Sequence, residues 1–287
     1  MTRPRGFAPW RPRADTLALL DQVGAVLAEY RDYLPLTVRQ VFYRLVGTCG
    51  YEKTEAAYGR LCEHLNRARR AGLLPFDAIR DDGVSAHRPL AWAGPSGFRR
   101  GVTDAAQRYR VDRQEGQPVR LWLLCEAGGM ATMLARAADP YGVPVLSSGG
   151  FDSTTAKHDL AAEMAGAEAA EALHVGDLDP SGVHLFSALA EDVAAFARGL
   201  GGAEPQFTRL AVTPEQVAAL GLPTAPPKPT DRRAFAGATA QAEAIPPDRL
   251  SAIVREAIEA RQDAAARDWV LAREAAERAE LVGWAGR

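Results

Sequence analysis

Short apolar runs alternate with helical segments from residue 119 onward, and this alternation constrains the fold more than any other feature of the chain. Strands are predicted at residues 118–125, 143–147, 172–175 and 207–212, and helices at residues 130–138, 153–169 and 183–198. Strands that alternate with helices form parallel sheets, because each helix carries the chain back across the sheet in a right-handed crossover. The sequence therefore predicts an α/β domain built on a parallel sheet.

Acidic residues follow two of these predicted strands. Glu126 ends the first apolar run, and Asp177 and Asp179 come just after the run at residues 172–175. Residues two apart in an extended segment project to the same side, so both aspartates can face one cation. If the two strands are neighbours, their carboxyl ends meet at one edge of the sheet. We expect the three acids to converge there and to bind Mg²⁺ or Mn²⁺, which prefer carboxylate oxygens.

The N-terminal part of the chain is predicted to be helical. Helices are expected at residues 15–30, 37–47 and 54–70, followed by a short strand at 73–79 and a turn at 81–83. Three helices and a hairpin are the parts of a winged helix-turn-helix module. In that interpretation the third helix directs a basic face toward phosphates, formed by Arg60, Arg67, Arg69 and Arg70. An ordinary helical lobe with an exposed arginine face is the alternative.

These patterns divide the chain into four parts. A winged-helix-like module covers residues 1–95, and a Gly-, Pro- and Arg-rich linker without sustained periodicity covers residues 96–118. The α/β domain follows at residues 119–245. A tail at residues 246–287 is expected to form one long helix, which either packs on its own domain or makes a homodimer contact.

Charge is distributed unevenly along the chain. Residues 1–120 contain 20 Lys and Arg against 13 Asp and Glu, whereas residues 121–287 contain 14 against 23. A basic first part and an acidic second part suggest that the first binds a polyanion and the second gathers cations. A merely solvated surface would explain the same numbers.

Other sequence features limit the class of protein. No apolar stretch approaches the roughly 20 residues that cross a bilayer, so we expect a cytoplasmic protein without a membrane partner. Three cysteines in no paired spacing fit a reducing compartment. Neither a Gly-x-x-x-x-Gly-Lys-Ser/Thr loop nor a Gly-x-Gly-x-x-Gly motif occurs, so ATP hydrolysis and nicotinamide chemistry have no support.

Glu126 after a strand, followed by Gly-Asp-Leu-Asp-Pro-Ser-Gly at residues 176–182, resembles the Toprim domain of topoisomerases, primases and related nucleases. With a winged helix ahead of it, the chain is most similar to the topoisomerase VI A family, its meiotic double-strand-break relatives and small bacterial and phage Toprim proteins. The resemblance implies that Glu126 is a general acid/base or metal ligand. It implies that Asp177 and Asp179 are the metal-binding pair, and that DNA is the substrate.

The segment Thr-Val-Arg-Gln-Val-Phe-Tyr-Arg at residues 37–44 is similar to the part of that family in which a tyrosine attacks DNA. Tyr43 falls at this place, and the charges of Arg39 and Arg44 beside it are expected to favour the phenolate. A core pair of Phe42 and Tyr43 is the alternative. Glu243 lies in a stretch similar to an acidic segment of small Toprim relatives and is a candidate supporting acid.

Taken together, these features predict Mg²⁺-dependent cleavage of nucleic-acid phosphodiester bonds, with duplex DNA as the expected substrate. Two alternatives remain open from the sequence. One is a transesterase in which Tyr43 forms a link to DNA and a separate ATPase partner supports strand passage. The other is a DNA-binding protein whose acidic site is not catalytic.

Overall fold

The computed structural model describes residues 6–80, 89–147, 153–227, 235 and 237–286. The helices are α1 (Ala14–Glu29), α2 (Val38–Cys49), α3 (Glu55–Arg70), α4 (Pro95–Gln107), α5 (Ala131–Ala138), α6 (Thr154–Ala165), α7 (Pro180–Gly199), α8 (Pro214–Leu220), α9 (Pro247–Glu259) and α10 (Ala264–Ala285). The strands are β1 (Leu36–Thr37), β2 (Ile79–Arg80), β3 (Arg120–Cys125), β4 (Val145–Ser147), β5 (Ala170–Val175) and β6 (Gln206–Ala211).

The larger sheet is parallel. Its strands lie in the order β4, β3, β5, β6, and every neighbouring pair runs in the same direction. In the central pair, Leu123 lies opposite Leu173 and Cys125 lies opposite Val175. The predicted α/β class with a parallel sheet is confirmed, and the four predicted strands of this region are all present.

Both faces of the larger sheet are covered by helices. Leu121, Leu123 and Cys125 on β3 pack into the core that contains residues of α5 and α9. Trp122 and Leu124 point to the other face and pack with residues of α6 and α7. This alternation follows from the two-residue period of a strand, and it explains why β3 is an unbroken apolar run.

The helices α1, α2 and α3 enclose a separate hydrophobic core, which includes Val23, Val41 and Leu61. The predicted start of α2 is confirmed, because Thr37 Oγ1 accepts a hydrogen bond from Gln40 N at 3.0 Å. Gln40 Oε1 in turn accepts from Thr37 N at 2.9 Å, which satisfies a second backbone donor at the helix start.

The segment after α3 differs from the predicted strand and turn. Pro75 has an extended backbone and leads into a 3₁₀ turn at Phe76–Ala78, so residues 73–79 do not form one strand. The two residues of β2 then pair with β1 in parallel, Leu36 opposite Ile79 and Thr37 opposite Arg80. A parallel pair joined across two helices is not a hairpin. The predicted turn at 81–83 lies outside the described residues.

The segment predicted as a linker, residues 96–118, contains most of the helix α4. Ala106 is the only residue of α4 that is buried, so the sequence lacks the apolar stripe by which a surface helix is recognised.

The C-terminal segment forms two helices, α9 and α10, and not the single helix that was predicted. Asp263 separates them as the N-cap of α10, because its side chain accepts a hydrogen bond from Ala266 N at 2.9 Å. α9 packs against α5, and α10 packs against α4.

Within the described ranges, no helix combines the length and the apolarity that crossing a membrane requires.

A buried ion pair holds α10 to the segment that precedes the sheet. Arg113 Nη2 and Nε donate to the two carboxylate oxygens of Glu274 at 2.6 Å and 3.0 Å, and Arg278 donates to the same carboxylate. Only 3% of the Glu274 side chain is exposed. The hydrogen bonds from Arg113 are the main cause that lowers the pKa of Glu274 to about 2.

Replacing Glu274 by Gln should lower the free energy of unfolding by about 1–3 kcal/mol at neutral pH. The reason is that Arg113 stays largely buried but loses its charged hydrogen-bond acceptor. The depressed pKa of Glu274 means that this stabilisation is present above its ordinary value of 4.5 and is lost as the pH falls toward 2. Urea unfolding at neutral pH and at about pH 3 measures both effects, and the difference between variant and wild type should shrink in acid.

Glu115→Gln is the control for this prediction. Glu115 accepts two hydrogen bonds from Arg273 at 2.8 Å and 2.6 Å, but 47% of its side chain is exposed. Exposed pairs of this kind contribute at most about 1 kcal/mol. An equal decrease in the free energy of unfolding in the two variants would contradict the importance of burial at Glu274.

Candidate active site

Glu126 and Asp177 lie side by side at the carboxyl edge of the larger sheet. The pairing of β3 with β5 continues one residue beyond the strands, where Glu126 N donates to Val175 O at 2.9 Å. Asp177 N then donates to Glu126 Oε2 at 3.0 Å. The expectation that the two acidic runs are neighbouring parallel strands is confirmed, and it brings together residues from distant parts of the sequence.

Backbone N–H groups orient the two aspartates. Ala242 N donates to Asp177 Oδ1 at 2.8 Å, and Gly182 N donates to Asp179 Oδ1 at 2.7 Å. Asp179 is therefore the N-cap of α7, and Pro180 follows as the first helical residue. This capping role explains why a helix begins directly after the Asp-x-Asp pair.

Two glycines allow the acidic loop to approach Glu126. A Cβ atom on Gly176 would lie 2.5 Å from Glu126 Oε2 and 2.4 Å from the ring of His174. A Cβ atom on Gly182 would lie 2.6 Å from Asp177 O and 3.0 Å from Glu126 Oε2. Both positions bring a Cβ closer than real Cβ contacts allow, so each requires the absence of a side chain.

Burial and mutual repulsion raise the pKa values of the neighbouring acids. Burial first, and then the charge of Asp177, raise the pKa of Glu126 to about 7. Burial is also the main cause that raises the pKa of Asp177. A group of carboxylates that resists ionisation in this way is stabilised by a bound cation.

The donor chemistry fits Mg²⁺ or Mn²⁺. Glu126 and Asp177 offer hard oxygen ligands, and Mg²⁺ is commonly held by one or two carboxylates with water and substrate phosphate completing its shell. Among the residues that the structure describes, no cluster of three His, Cys, Asp or Glu side chains is already arranged around one metal position. Glu126 and Asp177 are in contact, and Asp179 follows beside them as the cap of α7.

A cavity of about 570 Å³ opens in front of Glu126 and Asp177. Its other wall comes from the N-terminal helices, so it lies between the two parts of the chain. The charged residues that line it are Arg39, Arg69, Arg80, Glu126, Asp177 and Glu243. We call this space the acid cavity. It combines carboxylates that could bind a cation with arginines that could bind an anion.

Glu243 connects the two walls of the acid cavity. Its Oε1 accepts a hydrogen bond from Thr37 Oγ1 at 2.9 Å, and its Oε2 lies 3.9 Å from Arg39 Nε. The adjacent Ala242 is the residue whose N–H binds Asp177. The candidate supporting acid therefore lies in the same cavity as Glu126 and Asp177, and it also fixes the N-terminus of α2.

A second cavity of about 380 Å³ adjoins the first, since Arg39 and Tyr58 line both. Tyr43, Lys53 and Asp179 line this second cavity. The proposed nucleophile thus shares a space with Asp179, whereas Glu126 and Asp177 line the acid cavity.

The surroundings of Tyr43 do not lower the pKa of its phenol as we expected. Burial raises the pKa of its phenol to about 12, and this outweighs the opposing effect of Arg39. Arg44 does not face the phenol's cavity but is buried and donates a hydrogen bond to Ala244 O. Phe42 contacts the Tyr43 ring edge to face at 5.3 Å, as expected for the core-pair alternative.

The four arginines predicted to form one basic face on α3 have different partners and do not all line the same cavity. Arg60 pairs with Glu52 at 3.1 Å, and Arg67 pairs with Glu63 at 2.6 Å. Arg69 lines the acid cavity, as does Arg39 of α2. Arg70 lies at the end of α3 and donates to Asn66 Oδ1 at 2.7 Å and to Gly6 O at 2.8 Å.

Two arginines near the acid cavity were not predicted from the sequence. Arg80 of β2 lines the acid cavity and donates to Thr132 Oγ1. Arg209 of β6 donates to Gly176 O at 3.0 Å and to Asp177 O, and its burial lowers its pKa. The sequence contained one signal for Arg209, a charged residue inside a predicted strand. No pattern distinguished Arg80 from the other arginines.

Comparison of the sequence with protein-family models, curated proteins and solved structures finds no match.

Replacing Gly182 by Ala should displace the acidic loop, because the new Cβ would collide with the backbone oxygen of Asp177. We expect the free energy of unfolding to fall by about 1–3 kcal/mol, as for other overpacked positions. The displaced carboxylates should also bind cations more weakly. Thermal unfolding with and without Mn²⁺ measures both effects, and the stabilisation by Mn²⁺ should decrease in the variant.

Gly199→Ala at the other end of α7 is the matched control, because a Cβ there meets no heavy atom within 4 Å. It should keep the stability and the Mn²⁺ response of the wild type. If Gly182→Ala behaves in the same way, the close approach of α7 to the acids does not matter for cation binding.

Proposed function

We propose that this chain is a Mg²⁺- or Mn²⁺-dependent enzyme that cleaves phosphodiester bonds of nucleic acid in the acid cavity. The observation that carries the proposal is the contact between Glu126 and Asp177 opposite three arginines in one cavity. Carboxylates bind the cation in metal-assisted phosphoryl chemistry, and guanidinium groups form strong paired hydrogen bonds to phosphate.

The architecture that we propose is Toprim-like for residues 119–245 and winged-helix-like for the helices before it. Acids that follow the adjacent parallel strands β3 and β5 support the first part. A basic three-helix module that supplies one wall of the acid cavity supports the second part.

Glu126, Asp177 and Asp179 share metal binding in this proposal, and Glu126 has a second role. Asp177 and Asp179 hold the metal ion together with Glu126, and the bound ion would supply neutralisation of charge on the phosphate. Burial and Asp177 raise the pKa of Glu126 to about 7 and a bound cation opposes this rise, so Glu126 can release a proton when the ion binds. Proton transfer at Glu126 Oε2 or Oε1 is then the step that this chain contributes itself.

The arginines bind the substrate phosphate in this proposal. Arg39, Arg69 and Arg80 come from three different elements, α2, α3 and β2, and all line the acid cavity. Guanidinium groups stay protonated at every physiological pH and form paired hydrogen bonds to phosphate oxygens. They would orient the scissile phosphate toward Glu126 and Asp177.

Replacing Asp177 by Asn should reduce metal-dependent cleavage about 100-fold or more, since loss of a ligand removes several kcal/mol of charge stabilisation. The measurement is cleavage of labelled duplex DNA, single-stranded DNA and RNA with Mg²⁺ or Mn²⁺. Asp192→Asn is the control, because Asp192 is an exposed carboxylate on α7 that pairs with Lys157. A folded Asp177→Asn variant that cleaves like the wild type would rule out the proposed site.

The wild-type result tests the non-catalytic alternative in the same assay. Nucleic-acid binding that responds to metal, with no cleavage of any of the three substrates, would favour a DNA-binding protein without catalysis.

Replacing Tyr43 by Phe should leave cleavage intact, because the buried phenol with a pKa of about 12 is not needed for hydrolysis. Reactions stopped in denaturant should contain no protein joined to DNA. Tyr58→Phe is the control, because Tyr58 lines the same second cavity as Tyr43.

An adduct that disappears in Tyr43→Phe but persists in Tyr58→Phe would establish the transesterase instead. The position of Tyr43 in one cavity with Asp179 is the observation that favours this second candidate. A transesterase that passes strands would also need a separate ATPase partner.

A further inference from the structure

A third hollow continues from the acid cavity along the end of α3. Its volume is about 350 Å³, and it shares Asn66 and Arg69 with the acid cavity. The other residues that line it are Gly6, Phe7, Arg70 and Phe76. We call this hollow the aromatic groove. A chain-like ligand that enters the aromatic groove can therefore reach Glu126 and Asp177 along Arg69.

The aromatic groove exposes two phenyl rings to solvent. Phe7 is 81% exposed and Phe76 is 54% exposed, and their rings meet edge to face at 5.8 Å. The guanidinium of Arg69 lies 5.7 Å from the centre of the Phe76 ring. Exposed aromatic rings beside a cavity with polar walls mark a surface that binds a flat or apolar group.

One backbone hydrogen bond and one from a side chain hold the aromatic groove in place. Ala8 N donates to Arg70 O at 3.0 Å, and Arg70 Nη1 donates to Gly6 O at 2.8 Å. The N-terminal segment that carries Phe7 is thereby tied to the last turn of α3. Arg70 uses neutral amide oxygens as acceptors, so these contacts leave its positive charge in the groove.

Exposed rings together with arginines match the chemistry of a nucleic-acid strand whose bases are unpaired. Such bases stack on aromatic side chains while the backbone follows positive charge. The bases of an intact duplex already stack on one another and cannot reach the rings of Phe7 and Phe76. Charge alone would attract either form, so the aromatic pair is the feature that distinguishes between them.

We infer that the aromatic groove formed by Phe7, Phe76 and Arg70 binds an unpaired nucleic-acid strand, whose next phosphate reaches the acid cavity beside Arg69. The inference rests on the proposed function for the role of the acid cavity. It narrows the substrate to DNA or RNA with a single-stranded segment at the site of cleavage.

Binding of a labelled twelve-nucleotide oligothymidine, measured by fluorescence anisotropy in EDTA, tests the inference without any cleavage. Phe76→Ala should weaken this binding about tenfold, the effect of losing one base that stacks on an aromatic ring. An oligonucleotide of the same length without bases should bind the wild type and Phe76→Ala equally, because it carries only the phosphates.

Trp269→Ala is the matched control, because Trp269 is 58% exposed and has Arg273 at 4.9 Å from its ring but does not line the three cavities. It should bind oligothymidine like the wild type. Unchanged affinity in Phe76→Ala would overturn the inference. So would an equal loss of affinity for the oligonucleotide without bases, or a loss of self-association in Phe76→Ala without any change in oligothymidine binding.

The two proposals can fail separately. Oligothymidine binding that depends on Phe76, with no cleavage of any substrate, would remove the proposed catalysis and keep the aromatic groove. Cleavage that depends on Asp177, with oligothymidine binding unaffected by Phe76→Ala, would remove the role of the groove and keep the acid cavity.

Discussion

The pairing of β3 with β5 is the interaction on which the candidate site depends. The two strands are aligned from Arg120 and Ala170 to Cys125 and Val175, and their side chains are buried on both faces. A slip of one residue would move every side chain to the opposite face, so the register is strongly specified. The apolar pattern of the strands, rather than any attraction between the acids, therefore holds Glu126 beside Asp177.

Repulsion between the buried carboxylates opposes this contact. Hydrogen bonds from nearby backbone groups offset part of the free-energy cost of bringing the carboxylates together. Backbone N–H groups of Asp177, Ala242 and Gly182 each donate to one of the carboxylates. Arg209 lies beneath the loop and loses hydration there, as its lowered pKa indicates. Neighbouring carboxylates whose pKa values are raised by burial, and which are nevertheless held in place by hydrogen bonds, are typical of functional sites.

Much of the α/β domain could be predicted because its strands are short apolar runs separated by helices. The contact between Glu126 and Asp177 followed from the same pattern. The pattern could not reveal the burial that raises the pKa of Tyr43, because a helical period tells which side chains share a face but not what covers that face. It also missed α4, whose surface buries only Ala106, and it could not place Arg80, which depends on the pairing of β2 with β1.

The 3₁₀ turn at Ala242–Ala244 links the two walls of the acid cavity, because each of its three residues makes a hydrogen bond to one of the walls. Ala242 donates to Asp177, Glu243 accepts from Thr37, and Ala244 accepts from Arg44. This one turn therefore contacts both α2 and the Asp177 carboxylate. Arg39 also belongs to α2, and its Nε lies 3.9 Å from Glu243 Oε2 in this turn. A phosphate bound at Arg39, as we propose, would therefore lie on the helix that this turn joins to the Asp177 carboxylate.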